Sequence, residues 1–395
     1  MYDICIIGGG PAGMTAAITA KNQNPRLNVC IIEKNQNLGK KIYATGNGKC
    51  NLSNLACPDS LEVLKFFDQI GIFTRADEAG RMYPASEQAS DVVAALENAL
   101  DNYNVDVRLG EMPKTITKTE QGFDIQLTSQ TISTKKLLLA TGGKAGPQYG
   151  NLGDGYAFAK KFGHQVNRTY PVLAPLECDG NFMELKGIRS KGTVSLLKNA
   201  GIVASESGEI QFTEDGLSGI CVFNLSRFVR LDSNMSPAQA IKSYSASIDF
   251  IPSMNQHEAE MFIKNRAEIK GTKVEDLLLT VVHPGISKDI LKNAGIALDS
   301  EASSLTVESC LQIAGLLKNW NCKLTGVKGW KKAQCTGGGI PFTEVDPQTG
   351  ASNLAFGLYF AGELLDYDGP SGGFNLHFAW DSGMKAGKAM ANEII

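Results

Sequence analysis

A glycine-rich turn near the start of the chain is the first feature whose residue types could do chemistry. Residues 8–13 read Gly-Gly-Gly-Pro-Ala-Gly and match the spacing G-x-G-x-x-G between a predicted strand at 3–7 and a predicted helix at 11–21. A second predicted strand, at 28–32, is followed by Glu33. Backbone N–H groups at such a helix start bind phosphate, and a carboxylate after the second strand accepts hydrogen bonds from ribose hydroxyls. The pattern therefore predicts a dinucleotide site formed by Gly8, Gly10, Pro11, Ala12, Gly13, Glu33 and Lys34.

Two more glycine-rich segments follow predicted strands, one after residues 136–140 and one after residues 357–361. A third such stretch, residues 369–376, opens a predicted closing helix at 374–394. FAD needs protein groups along its ribityl chain and at its ring, and a helix N-terminus there would stabilise negative charge on the reduced ring. The combination predicts FAD, with further contacts from Thr141, Gly142, Gly362, Glu363, Gly372, Gly373, Phe374, Asn375 and Leu376.

The glycine excess is confined to these parts of the chain. Glycine accounts for 42 of the 395 residues, and 26 of those 42 lie within residues 1–55, 140–155 and 326–387. Glycine collects where the backbone needs positive φ or must approach another group closely. Three separated glycine-rich segments therefore predict one cofactor site built from both ends of the chain.

The overall composition excludes several other classes of protein. With 43% hydrophobic residues and a net charge of −3, the chain can build a core and is not of the disordered type. The 38 basic and 41 acidic residues leave no positive surplus, which argues against nucleic-acid binding by bulk charge.

Targeting and metal-binding patterns are also missing from the sequence. The N-terminus has no signal-peptide pattern and no apolar run reaches the ~20 residues of a membrane span, so we expect a cytoplasmic protein without a membrane partner. Nine cysteines without a C-x-x-C pair predict reduced thiols. The four histidines show no metal-ligand spacing, so no metal is predicted, and the oligomeric state stays open.

The order of predicted elements divides the chain into an α/β part and an insert. Strand–helix–strand patterns and the glycine-rich C-terminus predict a Rossmann-like FAD-binding domain split between residues 1–165 and 328–395. Short alternating segments predict an inserted β-barrel substrate or cap domain at 166–254 and 301–327, and a more helical stretch predicts a small domain at 255–300. Three strands at 105–109, 115–118 and 123–127 are predicted to form an antiparallel meander.

Five stretches spread over the whole chain carry a family-level pattern. They are GKKIYATGNGKCNLSN at 39–54, ATGGKAGPQYGNLGDGYAFAKKFGH at 140–164, FTEDGLSG at 212–219, AQCTGGGI at 333–340 and LYFAGELLDYDGPSGGFNLHFAWDSG at 358–383. In these stretches the sequence resembles the BaiN-type flavoprotein family of the glutathione-reductase superfamily, which includes aminoacetone-oxidase-like proteins. The resemblance implies FAD held by a split domain, a β-barrel insert and a small helical insert, and it does not supply a substrate.

The first of these stretches adds residues to the predicted cofactor site. Its basic residues, with Lys41 and Lys49 among them, could complement the pyrophosphate or an anionic reduced flavin, or could lie in a solvated loop. We expect the backbone of residues 45–51, more than the lysine side chains, to contact the cofactor. The predicted cofactor-binding residues of this stretch are Lys41, Thr45, Gly46, Asn47, Gly48, Lys49, Cys50 and Asn51. Cys50 lacks a C-x-x-C partner, which favours a buried structural thiol over redox chemistry.

The sequence predicts the catalytic residues less specifically than it predicts the cofactor-binding residues. His377 lies near the start of the closing helix and could face the flavin or simply pack, while Tyr43 and Arg189 are candidates only because they neighbour the motifs or lie in the insert. There is no G-x-S-x-G elbow, so hydrolase chemistry has no support.

Together these features predict an FAD-dependent oxidoreductase that transfers hydride to or from a small organic substrate. The sequence has no second G-x-G-x-x-G, so the reducing equivalents would come from transient NAD(P)H binding, from the substrate itself or from another protein. Three versions stay open. The first is NAD(P)H-driven reduction of an activated C=C bond, which the BaiN-type resemblance implies. The second is an aminoacetone-like flavin amine oxidase that uses O₂, and the third is an RNA-associated flavoprotein.

Overall fold

The computed structural model of the chain describes residues 1–230 and 237–394. The backbone divides into two compact units, the first made of Met1–Pro171 and Ala333–Ile395 and the second of Val172–Lys332. The first unit therefore contains both glycine-rich ends of the chain. The finer division of the insert at residues 254 and 300 stays a prediction.

The first unit begins with alternating strands and helices. Its elements up to residue 161 are β1 (Tyr2–Ile7), α1 (Pro11–Gln23), β2 (Val29–Glu33), β3 (Ser53–Asn54), α2 (Ser60–Gln69), β4 (Thr74–Ala76), β5 (Arg81–Pro84), α3 (Ala89–Asn102), β6 (Asp106–Leu109), β7 (Thr115–Thr119), β8 (Gly122–Gln126), β9 (Thr131–Leu139) and α4 (Asp154–Lys161). The short strand β10 (Tyr170–Val172) follows at the boundary between the units.

The second unit contains a closed barrel together with helices. Its elements are β11 (Leu176–Cys178), β12 (Arg189–Lys198), β13 (Gly201–Phe212), β14 (Gly216–Ser218), α5 (Ile220–Ser226), α6 (Pro237–Ala240), β15 (Tyr244–Asp249), α7 (Gln256–Ala267), α8 (Pro284–Asn293), α9 (Val307–Lys318) and β16 (Trp320–Val327). The barrel has the strand order β11-β14-β13-β12-β15-β16, and its interior is filled by apolar side chains. The chain then returns to the first unit through β17 (Cys335–Gly337), β18 (Leu358–Phe360) and α10 (Phe374–Asn392).

The predicted helical stretch at 255–300 is helical on both sides of a break. Within the predicted helical stretch 255–300, residues 274–282 contain only a single 3₁₀ turn, at Val274–Asp276. Thr280 has a positive φ of 68°, and His283 precedes a proline, so the chain cannot continue as an α-helix through this stretch. Helix α9 lies beyond residue 300.

The main sheet of the first unit has the strand order β6-β2-β1-β9-β8-β7, with β18 also paired to β9. Strands β6, β2, β1, β9 and β18 run parallel, whereas β7, β8 and β9 pair antiparallel. The predicted meander was therefore wrong for its first strand, since β6 is a parallel neighbour of β2. Helix α3 supplies the crossover that brings the chain back to the same end of the sheet, as a parallel connection requires.

Alternate residues of β1 enter two different cores. Ile4 and Ile6 pack with α1, α3 and α10 on one face, and Cys5 and Ile7 pack with α4 on the other. A sheet covered on both faces explains why its strands read as continuous apolar runs. Among the helices that the structure describes, none is both long enough and apolar enough to cross a membrane.

Candidate functional site

Four parallel strands of the first unit end at one edge of the sheet. At their carboxyl ends lie four of the predicted site residues. Glu33 is the last residue of β2, and Gly8, Thr141 and Gly362 follow β1, β9 and β18. Ligands of open α/β sheets bind in the crevice outside this edge. The fold therefore brings together three sequence segments that are more than a hundred residues apart.

The turn between β1 and α1 is tightly packed at Gly13 and open at Gly10. A Cβ on Gly13 would lie 1.9 Å from the Gly8 carbonyl oxygen, so α1 can approach β1 only with glycine there. At Gly10 an added Cβ would meet no atom within 4 Å, which leaves that side of the turn open. Helix α1 begins with Pro11 and Ala12, no side chain caps its N-terminus, and no acidic residue lies in its first turn. The N–H groups of this first turn are therefore available to an anion.

Glu33 is buried and held in place by the same turn. Its Oε2 accepts a 2.8 Å hydrogen bond from the Gly9 N–H, and its Oε1 accepts from the backbone and side-chain nitrogens of Asn35 at 2.8 and 2.7 Å. A carboxylate fixed in this way at the end of β2 fits recognition of ribose hydroxyls. The side chain of the next residue, Lys34, forms an ion pair with Asp154 in the first turn of α4.

The segment from Ile42 to Gly48 forms a tight loop. Gly46, Asn47 and Gly48 all have left-handed backbone conformations, and the Cys50 N–H closes the loop on the Thr45 carbonyl at 3.0 Å. Burial raises the pKa of the Cys50 thiol to about 12, although a hydrogen bond with Thr45 opposes it. Cys50 is therefore a neutral thiol at physiological pH.

Two buried polar atoms in these segments have no protein partner. Asn51 Oδ1 and Thr141 Oγ1 are both inaccessible to solvent and make no hydrogen bond within the chain. Leaving such an atom unpaired costs about 1–3 kcal/mol, so a bound ligand that donates to it is stabilised. FAD carries ribose and ribityl hydroxyls that can donate to such atoms, so the residues present fit that cofactor.

A cluster around Glu363 ties the three segments together. Lys41 Nζ lies 2.6 Å from Glu363 Oε2, and the Thr336 N–H donates to Glu363 Oε1 at 2.9 Å. The Thr336 hydroxyl in turn accepts from the N–H groups of Lys144 and Ala145 at 2.8 and 3.0 Å. Burial alone would lower the pKa of Lys41, but the carboxylate of Glu363 outweighs it and the pKa of Lys41 is raised.

Sequence reasoning missed Thr336, although the stretch at 333–340 that contains it was part of the family pattern. The sequence offered only one signal for Thr336, its place in the short stretch AQCTGGGI at 333–340. The other predicted basic residue of the loop, Lys49, is exposed and pairs with Glu87 at 2.6 Å.

The start of α10 completes the candidate site. A Cβ on Gly373 would lie 2.4 Å from the Ser53 carbonyl oxygen and 2.9 Å from Asn51 Oδ1, so the helix begins close against the 51–53 segment. The N-terminus of α10 has no side-chain cap and no acidic residue in its first turn. The amide of Asn375 holds the preceding turn by bonding the N–H and the carbonyl of Gly369, both at 2.8 Å.

The three catalytic candidates lie in different surroundings. His377 is buried, with Nδ1 2.9 Å from Ser53 Oγ and Nε2 2.7 Å from the Pro58 carbonyl oxygen. Tyr43 is 45% exposed, and Arg189, in the second unit, is an exposed side chain paired with Glu209 at 2.9 Å. Because both nitrogens of His377 are engaged and burial lowers its pKa, the geometry favours an anchoring role for this residue.

We expect His377→Gln to lower the free energy of unfolding at pH 7.5 by about 1–2 kcal/mol, because hydrogen bonds to Ser53 and Pro58 are lost or weakened. The wild-type protein should lose stability as the pH falls below ~6.5, where the unfolded imidazole takes up a proton that the buried one resists. The variant should lose less between pH 7.5 and 5.5.

Chemical unfolding at the two pH values measures both effects. His164, whose pKa burial also lowers, keeps part of the slope in the variant and is the internal control. If His377→Gln abolished turnover of the FAD-loaded enzyme without changing its stability, His377 would be catalytic rather than anchoring.

The fold and the site define the class of protein: the chain is an FAD-dependent oxidoreductase with a Rossmann-type cofactor domain. The family model described as HI0933-like protein Rossmann domain matches residues 2–62 and 55–389. The chain belongs to this HI0933-like family.

Full-length relatives support the same assignment. The chain is 32% identical to the 3-dehydro-bile acid delta(4,6)-reductase of Clostridium scindens, with 99% of each chain covered. It is 27% identical to the ribosomal RNA dihydrouridine synthase of Escherichia coli, with 96% of each chain covered. Among solved structures, 3-ketosteroid delta1-dehydrogenase from Sterolibacterium denitrificans shares the fold with a TM-score of 0.52 at 12% identity over 99% of both chains.

Proposed function

We propose that the protein reduces a carbon–carbon double bond conjugated to a carbonyl group in a small organic molecule, with NAD(P)H as the hydride donor. The observation that carries the proposal is the chemistry shared by two full-length relatives that differ in substrate. One is named for reducing the delta(4,6) bonds of a 3-dehydro bile acid, and the other for making dihydrouridine, which is uridine reduced at the C=C bond beside its carbonyl.

FAD, when bound, supplies hydride transfer between the nicotinamide and the alkene. The chain's own residues bind and orient that cofactor. The N–H groups at the start of α1 would bind the phosphates and Glu33 the ribose hydroxyls, and the buried, unpaired oxygens of Asn51 and Thr141 would accept further hydrogen bonds. The uncapped N–H groups at the start of α10 favour negative charge near them.

A small substrate is favoured over ribosomal RNA by the charge of the insert. Residues 172–332 contain 18 basic and 18 acidic side chains, so this unit has no net positive charge. Proteins that bind RNA gain much of their affinity by neutralising phosphates with Lys and Arg. The higher identity to the bile-acid enzyme points the same way. We assign the selection of the substrate to this insert, since the predicted cofactor contacts all lie in the first unit.

An anaerobic titration of the FAD-loaded protein tests the proposal. We expect NADH or NADPH to bleach the flavin absorbance, and a 3-oxo steroid with a conjugated double bond to restore it without O₂. A saturated 3-oxo steroid is the matched control and should restore nothing, because it has no alkene to reduce.

Each alternative has its own outcome in the same titration. Bleaching by small amines but not by NAD(P)H would overturn the reductase proposal in favour of an amine oxidase. Colour restored by an rRNA transcript containing uridine, and not by the steroid, would identify an RNA substrate instead.

A further inference from the structure

Two cysteines lie side by side in the barrel of the second unit, where its first strand β11 pairs with its last strand β16; we call this pairing the seam. Strands β11 and β16 pair antiparallel, with Glu177 opposite Gly326 and Cys178 opposite Leu324, so the register shifts between residues 177 and 178. The sulfur atoms of Cys178 and Cys322 lie 3.1 Å apart although 144 residues separate them in sequence.

The backbone around the pair is fixed on both sides. The Cys178 N–H donates to the Asp215 carbonyl at 2.9 Å, and the Asp179 N–H donates to the Lys323 carbonyl at 2.8 Å. Lys328 Nζ pairs with the carboxylates of both Glu177 and Asp215 across the same seam. A disulfide bond is 2.03–2.05 Å long, so the two sulfurs need to approach by only about 1 Å.

Nothing in the proposed reaction uses these thiols. Both belong to the apolar core of the barrel, with exposed fractions of 6% and 7%. Cys310, in the same core and 3% exposed, makes no described contact with another thiol and so offers a matched single cysteine.

We infer that Cys178 and Cys322 form a disulfide bond when the protein meets hydrogen peroxide, an oxidant small enough to reach a nearly buried sulfur. The thiolate of one cysteine attacks the peroxide, forming a sulfenic acid and releasing water after proton transfer. The second thiolate then attacks the sulfenic sulfur and releases a second water. In sum, two thiols and one H₂O₂ give one disulfide and two H₂O, with two electrons passing from the thiols to the peroxide.

The surroundings set the rate of this oxidation. The hydrogen bond from Cys322 and burial both raise the pKa of Cys178, and the nearby carboxylates of Asp215 and Glu177 raise it further. Since the thiolate is the reactive form, the pair should oxidise slowly compared with an exposed thiol of ordinary pKa. The cross-link would join the strands at which the chain enters and leaves the barrel.

The test uses the full chain loaded with FAD, treated with hydrogen peroxide and digested without reduction. Mass spectrometry should show the Cys178 peptide linked to the Cys322 peptide with the loss of two hydrogens, and dithiothreitol should separate them. The oxidised protein should unfold at a temperature roughly 5–15 °C higher, because the bond closes a long loop.

Three variants separate the pair from general oxidation. Cys178→Ala and Cys322→Ala should each lose the linked peptide and the thermal shift, whereas Cys310→Ala should keep both. If a variant at the seam does not fold, the peptide map of the wild-type protein still decides the question. Recovery of both cysteines as alkylatable thiols after peroxide treatment would overturn the inference, and this outcome is independent of the substrate proposal.

Discussion

Replacing Gly10 with valine is expected to weaken FAD binding by about 100-fold or more, which corresponds to roughly 2.7 kcal/mol, while the apoprotein stays folded. Gly10 has φ −86° and ψ −172°, an extended conformation that valine adopts readily. A Cβ at this position meets no protein atom within 4 Å. The added methyl groups would instead occupy the space through which the pyrophosphate approaches the N–H groups of α1.

Gly13, the last glycine of the same G-x-G-x-x-G motif, provides the matched control. At Gly13 even a methyl group would lie 1.9 Å from the Gly8 carbonyl oxygen, so Gly13→Ala must push α1 away from β1. We expect this variant to destabilise the apoprotein itself. Thermal unfolding of the two apoproteins and titration with FAD, followed by flavin fluorescence, distinguish the two effects. If Gly10→Val bound FAD with the wild-type affinity, the cofactor would not lie at this turn.

The cofactor turn could be predicted from the sequence because its features are local. The strand β1, the glycines and the helix α1 lie within 23 residues, and the closest packing, that of Gly13 against the Gly8 carbonyl oxygen, lies inside that stretch. The predicted start of the closing helix at residue 374 is also confirmed. The barrel was predictable only as a class, since alternation shows that strands exist and not which strands pair.

The contacts that the sequence could not supply are those between distant segments. Lys34 pairs with Asp154 and Lys49 pairs with Glu87, and neither partner could be read from the sequence; the contacts of both lysines with the cofactor stay predictions. Thr336 was overlooked although it connects Glu363 with the 144–145 backbone. A lysine or threonine in a loop carries no periodic signal, so its partner is known only when the fold has placed both residues.

The largest effect on stability is expected where α1 and α10 cross. Gly383 and Gly387 lie one turn apart on α10, and a Cβ on Gly387 would lie 2.3 Å from the Ala16 carbonyl oxygen. Because backbone atoms cannot move aside as a side chain can, Gly387→Ala must separate the helices. We expect this change to lower the free energy of unfolding by about 1–3 kcal/mol and to weaken FAD binding, since α1 carries the phosphate turn.

The same substitution should have the opposite sign elsewhere. Gly315 lies within helix α9, and a Cβ there would meet no atom within 4 Å. Gly315→Ala should therefore stabilise its helix by about 0.5–1 kcal/mol, because alanine loses less conformational freedom than glycine in a helix. Hydrogen exchange resolved by peptide reports on α1 and α10 separately from α9. Equal effects at both positions would mean that helix propensity, and not the close approach of α1 and α10, explains the glycines of the closing helix.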